Sequence, residues 1–255
     1  MNIVSITRLS RKVRDGQEMS DQFEIAKDYR TIQQIVTDKL RSAILGGTFK
    51  PNERLNQADL AKKLNVSRIP TREALRTLEA EGLVKSFPHR GAVVSTMSPE
   101  EIEEVYEIRI LLEANAAQRA LKRMNESQLQ EVRKIQERML NTKNLDLWIN
   151  LNDHLHEAIY RPCGWTRLLS VIEMLRNLTI PYVRMYVSDQ DDRDAANTEH
   201  AEIVAALEAR DSVTLKAVLR RHLAHSCQGI LSYLKRVEED NTLSEAKEAS
   251  APRTG

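Results

Sequence analysis

The 255-residue sequence predicts a mainly α protein, an N-terminal winged helix-turn-helix followed by an all-α antiparallel helical bundle. Three observations carry that prediction. The chain is rich in Leu, Ala, Glu, Arg and Lys but has only 8 Gly, 3 Phe, 2 Trp and 6 Tyr, a balance that favours helices over sandwiches or barrels. Apolar residues recur at three-and-four spacing through most of it. Charge is divided unevenly: residues 1–94 carry 17 Lys and Arg against 11 Asp and Glu, whereas residues 95–255 carry 21 against 26. A basic module therefore precedes an acidic one; chance scatter is the alternative reading of the charge alone, and the motifs decide between them.

Residues 1–27 are polar and lack periodicity, and read as a mobile arm. Residues 28–95 form the first domain. Ile32, Ile35, Val36, Leu40, Ala43 and Ile44 define an amphipathic helix that Gly46 and Gly47 stop. Pro51, Asn52 and Glu53 make a turn into Leu55, and a second helix over 57–64 buries Leu60, Ala61 and Leu64. Asn65 and Val66 break it. A third helix over 68–80 starts behind Ser67 as N-cap, carries Pro70 in its first turn where no helical hydrogen bond is lost, and ends at Gly82. Two apolar runs, 83–87 and 92–95, flank the turn Pro88-His89-Arg90-Gly91 and predict a β-hairpin.

Residues 98–240 form the second domain. Ser98-Pro99-Glu100-Glu101 combines a capping Ser, Pro at the first helical position and Glu at the third, so a helix runs from there to about Met124. Further helices are expected over 126–142, 145–161, 165–187, 195–209 and 212–238, separated by Asn125, Asn144, Pro162-Cys163-Gly164, the Asp189-Gln190-Asp191-Asp192 run and Asp211. Short connections make neighbours antiparallel. Pro181 should kink its helix. Residues 241–255 read as a flexible tail.

The chemistry of the first domain suits double-stranded DNA. Arg68 and Arg72, four apart on one face of the third helix, can reach guanine edges, while Ser67 and Thr71 bind phosphates. His89, Arg90 and Gly91 at the wing tip offer charge and close backbone approach to a minor groove. A merely solvated helix end explains any one arginine, but not the whole constellation. In the acidic half, Asn152 and His156 share a helix face and His154 points away; His200 and His222 sit on two later helices. Three imidazoles converging from three helices would make a facial metal site, and a buried packing role for each is the alternative.

The segment 67–84, from Ser67-Arg68-Ile69-Pro70-Thr71-Arg72-Glu73 to Gly82-Leu83-Val84, resembles the recognition-helix signature of the GntR superfamily of bacterial transcription regulators. The upstream stretch 45–55, Leu45-Gly46-Gly47-Thr48-Phe49-Lys50-Pro51-Asn52-Glu53-Arg54-Leu55, is similar to the same family. Ala58 departs from it, since some relatives place a DNA-contacting arginine there. The helices after Ser98 resemble the ligand-binding FCD domain of the FadR subfamily. That resemblance implies one divalent metal per chain, zinc first with nickel, manganese or iron as alternatives, held by Asn152, His156, His200 and His222, with Asn in place of the usual carboxylate. His225 is the rival fourth ligand. It also implies a small organic acid bound on the metal and clamped by Arg109, whose alternative is a surface salt bridge with Glu113 or Glu104, with Arg184, Tyr186 and Asn177 as further candidates for the pocket wall.

The expected protein is thus a DNA-binding regulator, a repressor, working as a homodimer on a two-fold operator and controlled by the acid. The alternatives are a regulator for which the metal itself is the signal, and a metal-dependent hydrolase. No HExxH spacing supports the hydrolase. No run of about 18 uncharged apolar residues predicts a membrane span. Cys163 and Cys227 stand apart and the N-terminal stretch lacks a signal peptide's apolar region, so a cytoplasmic location is expected.

Overall fold

The computed structural model describes residues 30–87 and 91–250, with side chains through residue 239. The expected arm and the ends of the wing and tail, including His89 and Arg90, lie outside the described residues. Helix α1 spans Ile32–Leu45 and opens on a reciprocal cap. There the Gln34 amide donates to Thr31 Oγ1 at 3.1 Å and the Thr31 amide to Gln34 Oε1 at 2.8 Å. Strand β1, Arg54–Leu55, helix α2, Gln57–Lys63, and helix α3, Arg68–Ala80, follow. Ser67 takes the N-cap backbone conformation of α3, but its hydroxyl makes no capping bond.

Strands β2, Val84–Phe87, and β3, Gly91–Val94, form the expected hairpin. They belong to a three-stranded antiparallel sheet in the order β1-β3-β2, with Leu55 opposite Ala92 and Val84 opposite Val94. The sequence reading placed only a turn before Leu55; two residues carry no period, so β1 exists only because β3 pairs with it. Val36, Leu40, Ile44, Leu60, Ala74 and Leu78 pack with Leu55 and Val84 into the head's own core. Arg41 clamps α1 to the end of α3 through two bonds to Glu81, at 2.9 and 2.6 Å.

The second domain comprises helices α4, Pro99–Leu121, α5, Glu126–Leu140, α6, Leu145–Tyr160, α7, Thr166–Tyr186, α8, Gln190–Glu208, and α9, Ser212–Ser250. A 3-10 turn at Arg161–Cys163 joins α6 to α7, and Gly164 follows it with φ of 72°. The Ser98 and Glu101 cap is present as read, at 3.2 and 2.7 Å. Helix α7 continues through Pro181.

Two helix bounds depart from the sequence reading. The break between α7 and α8 falls at 187–189 and not across 189–192: Asp189 caps α8 by accepting from the Asp191 amide, and Asp191 and Asp192 lie in its first turn, where the positive end of the helix dipole favours carboxylates. Helix α9 runs on to Ser250 rather than stopping near 238.

Helix α4 is the bundle's axis, packed against α9, α7 and α6, while α8 lies between α5 and α9. That arrangement brings the inner faces of α6, α8 and α9 together.

Candidate functional site

On the head, Ser67, Arg68, Ile69, Arg72 and Arg76 are exposed along the start of α3. Arg72 Nε lies 3.2 Å from Glu73 Oε1 and Arg76 3.5 Å from it. Exposed pairs of this kind contribute at most about 1 kcal/mol, so both guanidiniums can exchange Glu73 for a base edge or phosphate. Gln57 Nε2 donates to the Arg68 carbonyl at 2.7 Å and fixes the start of α3 against α2. Gly91, with φ of 75° and no heavy atom within 4 Å of where a Cβ would stand, leaves the wing backbone open.

Thr71 departs from expectation. It is fully buried, and its hydroxyl donates to the Ser67 carbonyl at 3.1 Å, so it braces the helix start and cannot reach a phosphate. A threonine one turn into a helix naturally bonds back to the carbonyl four residues earlier.

In the bundle, His156 of α6, His200 of α8 and His222 of α9 are all buried, and their ligand atoms lie within 4.8 Å of one another. Ring centroids are 5.4 Å apart for His156 and His200, 5.3 Å for His156 and His222, and 4.6 Å for His200 and His222. Two of the rings are oriented from behind. The Tyr160 hydroxyl donates to Glu113 Oε2 at 2.6 Å, so its oxygen accepts from His156 Nδ1–H at 3.0 Å. Glu199 Oε2 accepts from His222 Nδ1–H at 2.8 Å. Both tautomers leave the Nε2 lone pair free, as carboxylate-braced metal histidines require.

His200 has neither nitrogen bonded, although both are buried. An orphaned imidazole in the interior is costly unless something accepts from or coordinates it. Burial holds His156 and His200 well below the usual histidine pKa, assisted by the cationic Arg176. They are neutral at physiological pH and able to ligate. The donor set, three neutral imidazoles on separate helices, therefore fits a divalent ion of zinc type.

Around this cluster runs a charged network that the sequence reading largely missed. Glu113 is fully buried, 2.7 Å from Arg109 Nε and 3.9 Å from Arg176. Burial pushes its pKa up, but Arg109, Arg176 and the Tyr160 bond outweigh that and hold it below the ordinary carboxylate value. Arg109 also donates to Thr179 Oγ1 at 2.9 Å and lies 4.6 Å from the Tyr106 ring centre. Its guanidinium is thus already clamped by Glu113 rather than held open for a ligand. Arg176 bonds only the half-exposed Asp153, at 2.8 Å, and 3.9 Å separates it from Glu113.

Arg109, Asn152, His156, Arg176, Thr179 and His222 border one cavity, with Tyr186 also on its wall. At about 40 Å³ it holds roughly three water-sized groups.

Other expected residues lie elsewhere. His225 is exposed and contacts Glu199 through Nδ1, outside the three-histidine cluster. Asn177 does not border the histidine cavity, and His154 is exposed, as its helical position implied. Arg184 faces the head: it pairs with Asp146 at 2.6 Å and borders the space between the two domains. Residues 176 and 184 are eight apart, only about 80° around α7, so periodicity alone does not separate the one that faces the histidines from the one that faces the head. Glu199, which with Glu157 is the base a hydrolase would use, accepts instead from His222 of α9.

Two family models match the chain, the gntR family of bacterial regulatory proteins over residues 32–94 and the FCD domain over residues 104–225. The chain belongs to the GntR family. This GntR-family protein is 29% identical over 209 residues to the uncharacterized HTH-type transcriptional regulator YdhC of Bacillus subtilis, which covers 80% of this chain and 92% of the relative. It is 29% identical over 195 residues to the HTH-type transcriptional repressor GlaR of Escherichia coli, covering 72% and 89% respectively. Among solved structures, E. coli McbR/YncC superposes with a TM-score of 0.72 at 23% identity over 82% of this chain and 100% of that one, a likeness of fold. A putative GntR regulator from Rhodococcus matches with a TM-score of 0.68 at 25% identity, over 78% and 97%. The GntR-family chain is accordingly a DNA-binding transcriptional regulator and not an enzyme.

Proposed function

We propose that this regulator is a homodimeric repressor in the cytoplasm, whose operator affinity is set by a small organic acid bound beside a divalent metal in the second domain. The observation that carries the metal is His200, with both nitrogens buried and unpartnered between two imidazoles whose Nε2 lone pairs are free. His156, His200 and His222 would hold the ion, and Asn152, on the wall of the same cavity, is the fourth donor. The ion supplies positive charge and open coordination positions for a carboxylate. Arg176 would receive the acid's free oxygen by releasing the half-exposed Asp153, while Arg109 stays on Glu113, leaving Arg176 and the ion as the positive charges that face the acid.

On the head, Ser67, Arg68 and Arg72 read the operator, with His89, Arg90 and Gly91 of the wing in the adjacent minor groove. Exposed Ile69, 66% accessible at the start of α3, suits contact with a thymine methyl. A two-fold operator would need two heads, hence the dimer. No helix among the described residues is long and apolar enough to cross a membrane.

Native mass spectrometry of the untagged wild type beside His200→Ala tests the metal. One divalent ion per chain in the wild type and none in the variant is expected; a metal-free wild type that binds DNA fully refutes the metal reading. The small cavity favours a second reading, in which the metal alone is the signal. Chelator titration of operator binding separates the two: a response with no acid present supports the metal as signal. The hydrolase reading gains no free base from Glu113 or Glu199, which are each engaged by cationic or N–H partners.

A further inference from the structure

We propose that the cavity between the DNA-binding head and the helical bundle is a second ligand site, taking a small apolar molecule that carries one carboxylate. This goes beyond the metal-site reading and does not depend on it. The cavity measures about 460 Å³, within the range of roughly 300–1,000 Å³ usual for small-molecule pockets. Its walls come from both domains: Phe49 and Leu83 from the head, and Leu178, Pro181 and Met185 from α7.

Two polar side-chain atoms of residues on those walls lack partners. Arg184 Nε and Ser95 Oγ are both buried and make no hydrogen bond within the protein. A buried donor left unpaired costs about 1–3 kcal/mol, so an acceptor supplied from outside the chain is favoured there. Water fills such a role where two to four polar partners surround it, but the residues around this space, Ile44, Phe49, Leu83, Leu178 and Pro181 among them, are mostly apolar. A ligand with an apolar body and an anionic acceptor satisfies both. Charge selects carboxylate over a neutral acceptor. Lys50 borders the same space, and Arg184 has Asp146, largely exposed, as its ion-pair partner.

The site is separate from the histidine cavity. Arg176, Thr179 and Val183 of α7 border the histidines, whereas Leu178, Arg184 and Met185 border the seam, so α7 stands between the two spaces. Because head and bundle both supply walls, an occupant binds only while they are docked as seen here and favours that arrangement by its differential affinity.

The test is isothermal titration calorimetry of the full chain with 4-phenylbutyrate and, as a neutral comparison, 4-phenylbutan-1-ol. The wild type should bind one acid per chain, with the alcohol about tenfold weaker, the loss expected for one charge-assisted hydrogen bond. Arg184→Met should bring the acid down to the level of the alcohol. Ser95→Ala should weaken the acid severalfold, and Leu178→Trp, which fills the space, should abolish binding. No binding by the wild type at millimolar acid overturns the proposal, as does unchanged affinity in Arg184→Met. Loss in His200→Ala with retention in Arg184→Met also overturns it, because the acid then sits at the histidines. If Leu178→Trp does not fold, the Arg184 and Ser95 variants decide.

Discussion

Replacing Glu113 with glutamine should cost a large share of a domain's stability. The wild-type carboxylate is fully buried and accepts from Arg109 Nε at 2.7 Å and from the Tyr160 hydroxyl at 2.6 Å, with Arg176 3.9 Å away. Glutamine keeps the shape but removes the charge, leaving the Arg109 cation buried opposite an amide. Breaking a buried pair from one side costs about 3–5 kcal/mol, against a typical domain stability of about 5–15 kcal/mol.

The sign with pH follows from the depressed pKa of Glu113. Its contribution is fully present above the unfolded carboxylate value and is lost as pH falls through the lower folded value. The gap between wild type and Glu113→Gln should therefore be full at pH 7 and shrink in strong acid. Urea unfolding followed by circular dichroism across that range measures it. A gap under about 1 kcal/mol at pH 7, or one of constant size into strong acid, would refute the account, since a surface pair is worth no more than that. The variant should also bind zinc about 10–100-fold more weakly, because Tyr160 would no longer fix the His156 tautomer.

Arg72→Ala should cost about 1–3 kcal/mol in specific operator binding, read by fluorescence anisotropy at fixed salt; unchanged affinity removes Arg72 from base readout. Thr71→Val should leave operator affinity unchanged in the same assay, because the buried hydroxyl serves only the Ser67 carbonyl, while melting temperature falls slightly. Gly82→Ala should destabilise by about 1 kcal/mol or more in thermal unfolding, chiefly because φ is 78° there. The added methyl would also meet Leu178 of α7 at 2.9 Å, so loosened head-to-bundle packing should accompany the loss.

The head was largely legible from sequence because its signals are local. Apolar spacing in α1 and α3, the glycine at 82 and the hairpin between Leu83 and Ser95 each act within a few residues. The Ser98 and Glu101 cap is equally short-range, and it marked the start of the bundle correctly. The acidic run at 189–192 was misread because aspartate both breaks helices and caps them, and only the Asp191 amide, bonded to Asp189, shows which applies.

Helical periodicity also placed His156, His200 and His222 on their elements, with His154 facing away. It could not show which helix faces which, and that depends on how α4 seats α6, α8 and α9 around it. The i,i+4 spacing already offered Arg109 to Glu113, and packing decided that the pair is buried and displaces the clamp; packing alone decided that Arg176 faces the histidines, that Glu199 crosses to His222, and that Arg184 turns to the head. Sequence fixes the order and the faces of helices through interactions one turn long; the partners of a buried charge are set by helix rotation and distance across the core, which no single segment encodes.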